Sequence, residues 1–311
     1  MAVTVEIVKW ALFVCLLTSC SRPGAVRLVL QPPSTNNYPS YFASWLGFYK
    51  EEGVDVSISQ IAGASKILEA VVGGSADVGG GVYEQTLQMA AEGKSIVAFV
   101  SLLKSPNFAI VATPGIHKWS DLRGKTVGVS SVGSPSQFYL SYLLKKEGVG
   151  DVSTATVGMG ATAMAALEHG QVDAAVLFGS AVTAYLARKP DAVILADTRT
   201  PEGLQNAFQV TDYPASCLLA RREWLEANPS SARRMARAVL RAMAWIREHS
   251  AEEILARVPS AGEPGAELEA IRLAKPMYSV DGRINKESAE GVRGIIGLTK
   301  VDVSSTFVNL N

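Results

Sequence analysis

Hydroxyl and amide side chains recur in this chain just past short apolar runs. Ser34-Thr35-Asn36-Asn37-Tyr38 follows Val26 to Leu30, and Ser65 follows a run ending at Ile61. Gly81-Val82-Tyr83 follows Ala76-Asp77-Val78, and Ser131, Ser134 and Ser136 follow Thr126 to Val129. Gly160 to Thr162 follows Thr154 to Val157. Such side chains donate and accept hydrogen bonds without a fixed charge. Their chemistry is the capture of a small polar molecule, and helix starts at Ser65, Ser136 and Ala161 would add backbone N–H groups suited to a small anion. The candidate ligand-binding residues are Asn36, Asn37, Tyr38, Ser65, Gly81, Val82, Tyr83, Ser131, Ser134, Ser136 and Gly160. Residue by residue, the competing role is helix capping for Ser and Asn, and packing at the loop base for Tyr38. Lys66 and Lys104 are the nearest cations, and the absence of Arg from these loops argues against a bidentate anion clamp. Glu84, near a helix start, either favours the helix dipole or takes an amino group of a heterocycle.

Other motifs point away from catalysis. His117, His169 and His249 have no second His at metal-ligand spacing, and no Gly-x-Ser-x-Gly elbow occurs. Gly158-Met159-Gly160-Ala161-Thr162-Ala163 fits the loose dinucleotide pattern, but Asp173 comes early for a ribose contact, so a tight strand-to-helix turn is expected. Cys217 lies among Ala215, Leu218 and Leu219, as a packed core thiol does. The residues therefore call for no catalytic group, metal or cofactor, and no turnover chemistry is expected. Lys+Arg and Asp+Glu balance at 29 each, which leaves no basic excess for nucleic acid. Arg233, Arg234, Arg237 and Arg241 read as the solvated face of a helix capped by Asn228 and Pro229, opposite Met235, Val239, Met243 and Ile246.

The N-terminus carries an address. Ala11 to Leu17 is an apolar run preceded by Lys9, too short to span a bilayer and of the length of a secretory signal core. It ends in Leu17-Thr18-Ser19-Cys20, which resembles a bacterial lipobox. A signal peptide over 1–19, lipidation at Cys20 and a tether over 20–25 are expected, on the periplasmic or cell-surface side of a membrane. Glu6 departs from the positive charge usual before such a run.

The elements that must position these loops alternate. Strands at 26–30, 54–61, 76–78 and 96–103 enclose helices at 41–52, 63–72 and 83–92, with Gly79-Gly80-Gly81 as a turn. The rhythm restarts with strands at 108–112, 126–129, 154–157, 172–177 and 193–196 around helices at 137–147, 161–169 and 180–188. A strand at 215–220 returns, and helices at 229–249, 251–256, 265–274 and 286–298 finish the chain. This predicts an α/β protein of two lobes, each a mainly parallel sheet flanked by helices, with a helical tail. The limits are 26–113 for the first part of lobe one, 114–207 for lobe two and 208–311 for the return to lobe one. In parallel sheets the loops beyond the strand carboxyl ends share one edge, so a ligand between two such edges and hinge closure are expected.

Five stretches resemble a known family. They are Pro39 to Ala43 with Gly47 to Val56; Gly73 to Gly79; Asp121 to Val129; Leu167 to Ala175; and Ala220 to Leu225 with Asn228-Pro229. Together they are similar to binding proteins for nitrate, taurine, alkanesulfonates and thiamine-precursor pyrimidines, over about residues 27–257. The resemblance implies a type II periplasmic-binding-protein fold. It also implies a monomeric receptor that hands a small molecule to an ABC permease and ATPase complex, with the membrane reached only through the lipid. The alternative on the same fold is a thiamine-pyrimidine-synthesis-like enzyme. Those enzymes depend on a catalytic His and a Cys-rich motif, and this chain carries no Cys cluster. A transcription-regulator effector domain would need a helix-turn-helix, which residues 1–25 do not supply.

Overall fold

Branched and small apolar residues of the first third fold into β1 (Val26–Leu30), β2 (Val56–Gln60), β3 (Val78–Val82) and β4 (Ile96–Ser101), as a computed structural model describes them. The structure describes residues 24–259 and 262–310; the expected signal peptide and Cys20 lie outside the described residues. Between the strands run α1 (Tyr38–Trp45), α2 (Phe48–Glu51), α3 (Ala64–Val72) and α4 (Tyr83–Ala91). The single helix expected over 41–52 is broken, because Gly47 takes φ +79°, a conformation open to glycine.

The second set of elements is β5 (Phe108–Ala112), β6 (Thr126–Val129), α5 (Pro135–Lys146), β7 (Ser153–Thr156), α6 (Ala161–Glu168), β8 (Ala174–Phe178), α7 (Ser180–Arg188), β9 (Val193–Asp197) and α8 (Pro201–Phe208). Then come β10 (Ser216–Arg221), α9 (Arg222–Ala227), α10 (Pro229–Glu248), α11 (Ala251–Leu255), α12 (Pro264–Ala274) and α13 (Lys286–Ile295). The strands form two five-stranded sheets, ordered β2-β1-β3-β10-β4 and β7-β6-β8-β5-β9. β1 pairs in parallel with β2 and β3, while β10 enters antiparallel between β3 and β4; in the other sheet β5 runs antiparallel to β8 and β9, so each sheet is mixed rather than wholly parallel.

The expected turn at Gly79-Gly80-Gly81 is instead strand. Packing explains it. A Cβ on Gly79 would sit 2.8 Å from methyls of both Ile67 and Val71, and one on Gly80 would sit 2.5 Å from Leu30. The glycines let α3 and the neighbouring strands approach closely.

Two crossovers, residues 102–107 and 198–215, join the lobes and pair with each other. Leu103 and Lys104 accept at their carbonyls from the backbone N–H groups of Ala215 and Tyr213, at 2.9 and 3.1 Å. On α10, Met235, Val239, Met243 and Ile246 are buried as expected. Its arginine face is exposed at Arg233, Arg234 and Arg237, as expected; Arg237 and Arg241 also pair with Glu51 and Glu52, and Arg241 lies 4.5 Å over the Phe48 ring. Asn228 does not cap α10; its amide donates back to the Trp224 carbonyl. Helix α12 packs on α7 of the other lobe, where Arg188 pairs with Glu263.

Candidate ligand-binding cleft

Because β1, β2 and β3 run parallel, the loops after them lie on one sheet edge; the same holds for β6, β7 and β8 in the second lobe. The two edges meet. The amide of Asn107, in the first crossover, donates to Thr35 Oγ1 at 3.1 Å and Asn36 Oδ1 at 2.6 Å. Its carbonyl accepts from the N–H of Gly179, just past β8, at 3.1 Å. A Cβ on Gly179 would stand 3.1 Å from Thr35 Oγ1. Thr35, Asn107 and Gly179 therefore mark one place where the lobes touch, besides the packing of α12 on α7.

Four helices at these edges, α3, α5, α6 and α7, start without a side-chain cap, behind Gly63, Ser134, Gly160 and Gly179. Elsewhere α8, α11 and α13 are capped by Thr200, Ser250 and Asn285, whereas α2, α9, α10 and α12 also start without a side-chain cap. Uncapped first-turn N–H groups require other acceptors. At the start of α4, Gln85 Oε1 accepts from the Val82 N–H at 3.1 Å.

The residues singled out from sequence separate into two groups. Asn36, Val82, Ser131 and Gly160 are partly exposed at the facing edges, and Ser65 is exposed on the first turn of α3. The others are engaged internally. Asn37 donates to the carbonyls of Gln31 and Pro32 and accepts from the Ser34 N–H, so its side chain builds the loop. Tyr38 is buried and donates to Glu267 of α12 at 2.6 Å, with its ring against Phe42 and Trp45. Tyr83 points into the core, its hydroxyl bonded to Thr306 at 2.5 Å. Ser134 and Ser136 form a hydroxyl chain with Ser130 and the Ser131 carbonyl. Gly81 is buried, and a Cβ there would meet Gln85 and Leu219 at 2.5 Å. Of the two cations, Lys66 is exposed and Lys104 half-buried on the first crossover.

The sequence reading named Thr35 in its loop without choosing it as a contact, and missed Asn107, Tyr139, Tyr213 and Gly179. Asn107 carried a signal, since Ser105-Pro106-Asn107 stands between two strands; it adopts φ +55°, which Asn tolerates better than most residues. Glu84 is not exposed at its helix start. It is fully buried, and its Oε1 accepts from Tyr139 at 2.5 Å and Tyr213 at 2.7 Å. Burial pushes its carboxyl above the usual carboxylate range, against the opposing effect of the two phenol bonds. Among the described residues no group of His, Cys, Asp and Glu is placed to hold a metal ion. Gly158, at φ +73°, makes a tight strand-to-helix turn whose Thr162 hydroxyl donates to the Met159 carbonyl.

Two α/β lobes meeting across crossover strands define the class of periplasmic binding proteins by fold. Residues 34–253 match the model of the NMT1/THI5 like family, and the chain belongs to that family. It is similar to YtlA of Bacillus subtilis, whose name describes a binding protein, at 24% identity over 70% of this chain and 64% of that protein. It is also similar to 4-amino-5-hydroxymethyl-2-methylpyrimidine phosphate synthase of Schizosaccharomyces pombe, at 26% identity over 44% of this chain and 40% of that enzyme. The chain thus spans less than two thirds of these relatives. A solved structure from Bordetella bronchiseptica superposes with TM-score 0.84 at 34% identity, covering 92% of this chain and 94% of that one. The aliphatic sulphonate binding protein SsuA of Escherichia coli gives 0.72 at 21%, covering 92% of each chain. The nitrate-binding protein NrtA of Synechocystis gives 0.70 at 15%, covering 91% and 86%.

One expectation is corrected here. The reading that this chain carries no turnover chemistry is overturned by the several curated relatives named as pyrimidine phosphate synthases, from fungi and from Legionella pneumophila. That expectation rested on the lack of clustered His and Cys, and a shared fold can host both capture and conversion.

Proposed function

We propose that the chain is an extracytoplasmic solute-binding lipoprotein that takes a small polar organic molecule or anion between its lobes and passes it to an ABC permease and ATPase complex. The observation that carries this reading is the meeting of two parallel-sheet edges at Thr35, Asn107 and Gly179, beside helix starts that lack side-chain caps. Acceptor atoms of a ligand would take those N–H groups, with Asn36, Ser65, Val82, Ser131 and Gly160 around it. The sulphonate- and nitrate-binding neighbours support a ligand of the sulfonate (taurine included) or nitrate class, and the pyrimidine phosphate synthase relatives support one of the thiamine-precursor pyrimidine class. A ligand touching both edges favours the closed arrangement through its greater affinity for it. Two acyl chains on Cys20 would hold the receptor at the membrane, since two suffice for stable anchoring.

Calorimetric titration with taurine, an alkanesulfonate, nitrate and an aminopyrimidine tests the reading. Saturable binding of one ligand per chain by one of them is expected, and failure of all four to bind would sink it. Cell fractionation tests the anchor: Cys20→Ala should move the protein from membrane to soluble fraction. A wild-type protein already soluble and unlipidated would remove that part.

A further inference from the structure

Glu84 lies where three segments converge. It belongs to α4 of the first lobe, Tyr139 to α5 of the second, and Tyr213 to the second crossover. Both phenols donate to the same oxygen, Oε1. Oε2 is buried and has no hydrogen-bond partner. That division is the pattern of a neutral carboxylic acid whose carbonyl takes both donors. A hydroxyl left unpaired in a dry site costs far less than half of an ionised carboxylate left so. The titratable groups facing Glu84 are Tyr83 of its own helix, Tyr139, Tyr213, and Cys217 of β10; none is a cation. Beyond Cys217 lies Asp212, whose negative charge faces Lys104. The two phenol bonds, the backbone and the α4 dipole favour the ionised form, and burial outweighs them. Tyr139 is held against the Phe108 ring of its own lobe, stacked at 4.7 Å between centroids, so the bond ties that lobe to α4 of the first.

We propose that Glu84 is a proton-dependent latch between the lobes: its neutral carboxyl holds Tyr139 in the closed arrangement, and loss of the proton to solvent releases it. Opening would hydrate Glu84, and water stabilises the carboxylate. Closure then takes up one proton. Raised pH opens the protein, and burial of the carboxyl, which lifts its titration, puts the change above the ordinary glutamate range. The latch rests on the two-lobed closure proposed above but not on the identity of any ligand.

The test uses the unliganded full chain. Small-angle scattering from pH 5 to 9 should give a radius of gyration that grows with pH, the open-to-closed ratio rising by up to about tenfold per pH unit for one proton. Glu84→Gln, a permanently neutral acceptor, should stay compact throughout. Tyr139→Phe keeps the ring stack, removes the interlobe donor, and should be more open than wild type at low pH. Carbon-13 observation of glutamate carboxyls in wild type and in Tyr139→Phe stands apart from whether Glu84→Gln folds. It should reveal one carboxyl that titrates above the others in wild type and shifts in the variant. A wild type of constant size, a Glu84→Gln that expands alongside it, or no carboxyl titrating above the ordinary range would each overturn the latch. Since no ligand is present, these outcomes do not bear on solute capture, and failed capture would not explain them.

Discussion

The side-chain amide of Asn107 donates to Asn36 Oδ1 at 2.6 Å, which ties a crossover residue to the loop after the first strand. The same amide reaches Thr35, and the backbone of Asn107 sits at φ +55°. Side chain and backbone can be separated by substitution. Asn107→Gly keeps the backbone at ease and loses two hydrogen bonds, a destabilisation of about 1–3 kcal/mol. Asn107→Ala adds about 1 kcal/mol of left-handed strain. Urea unfolding should order the proteins wild type, Gly, Ala. Equal stability of the two variants would mean that the backbone conformation contributes nothing.

Gly79→Ala tests the close approach of α3 to β3. Its Cβ would stand 2.8 Å from branched methyls of Ile67 and Val71, neither of which can swing away freely. Overpacking of this kind costs about 1–3 kcal/mol. Thermal melts should fall accordingly. Gly93 gives the converse case: unlike Gly79 it has positive φ, and it has open space around it, so Gly93→Ala should reveal backbone strain without a clash.

Asn37→Ala separates a loop-building residue from a ligand-binding one. Sequence reasoning expects lost affinity with stability intact. In the structure the side chain closes the loop over residues 31–37 with three hydrogen bonds. The variant should lose about 1–3 kcal/mol of unliganded stability, read by chemical denaturation, with affinity falling through the displaced Asn36. Full unliganded stability would return Asn37 to the role of direct contact.

The contrast marks what the chain's letters disclose. Strand and helix order was legible because apolar runs switch between periods, and β5 was placed to the residue. The edges carrying the cleft were legible because parallel strands fix where their loops go. The insertion of β10 between β3 and β4 was not, since pairing partners leave no local pattern. Nor were the partners of polar residues. Ser134, Tyr38 and Asn37 have the composition of a site, yet each bonds within its own loop or across to α12. Asn107 and Tyr139 matter through contacts 71 and 55 positions away in the chain.

Stability should depend on pH from two sides. Burial would raise the Asp77 carboxyl, but the bonds from the Arg27 side chain and backbone overcome it and hold it below its usual value. Its contribution is present above the unfolded value near 3.8 and is lost as pH falls through the lower folded value. Glu84 is raised, so its neutral form is favoured by folding. That contribution is present below the unfolded value near 4.5 and is lost as pH rises towards the folded one. Denaturation of Glu84→Gln from pH 5 to 8 should lack the alkaline decline, which in wild type reaches at most about 1.4 kcal/mol per pH unit. Parallel curves for the two proteins would show that Glu84 is ionised in both states.

Gly179→Val probes closure where Gly179 meets Thr35 and Asn107. Gly179 takes φ +50° with ψ −127°, a region that other residues enter only at a cost of about 1–3 kcal/mol. A side chain there also points at Thr35, 3.1 Å from a Cβ, so the bulk falls between the lobes rather than within one. The variant should lose that strain energy in an unfolding titration and, separately, become larger in scattering without ligand. Gly179→Ala carries the same backbone cost with less bulk. The two should therefore match in stability and differ in lobe separation, with ligand affinity falling further for Val. Equal size and equal affinity in both variants would mean that the lobes do not close on Thr35 and Gly179, and that the place of contact in this structure is not the place where a ligand is enclosed.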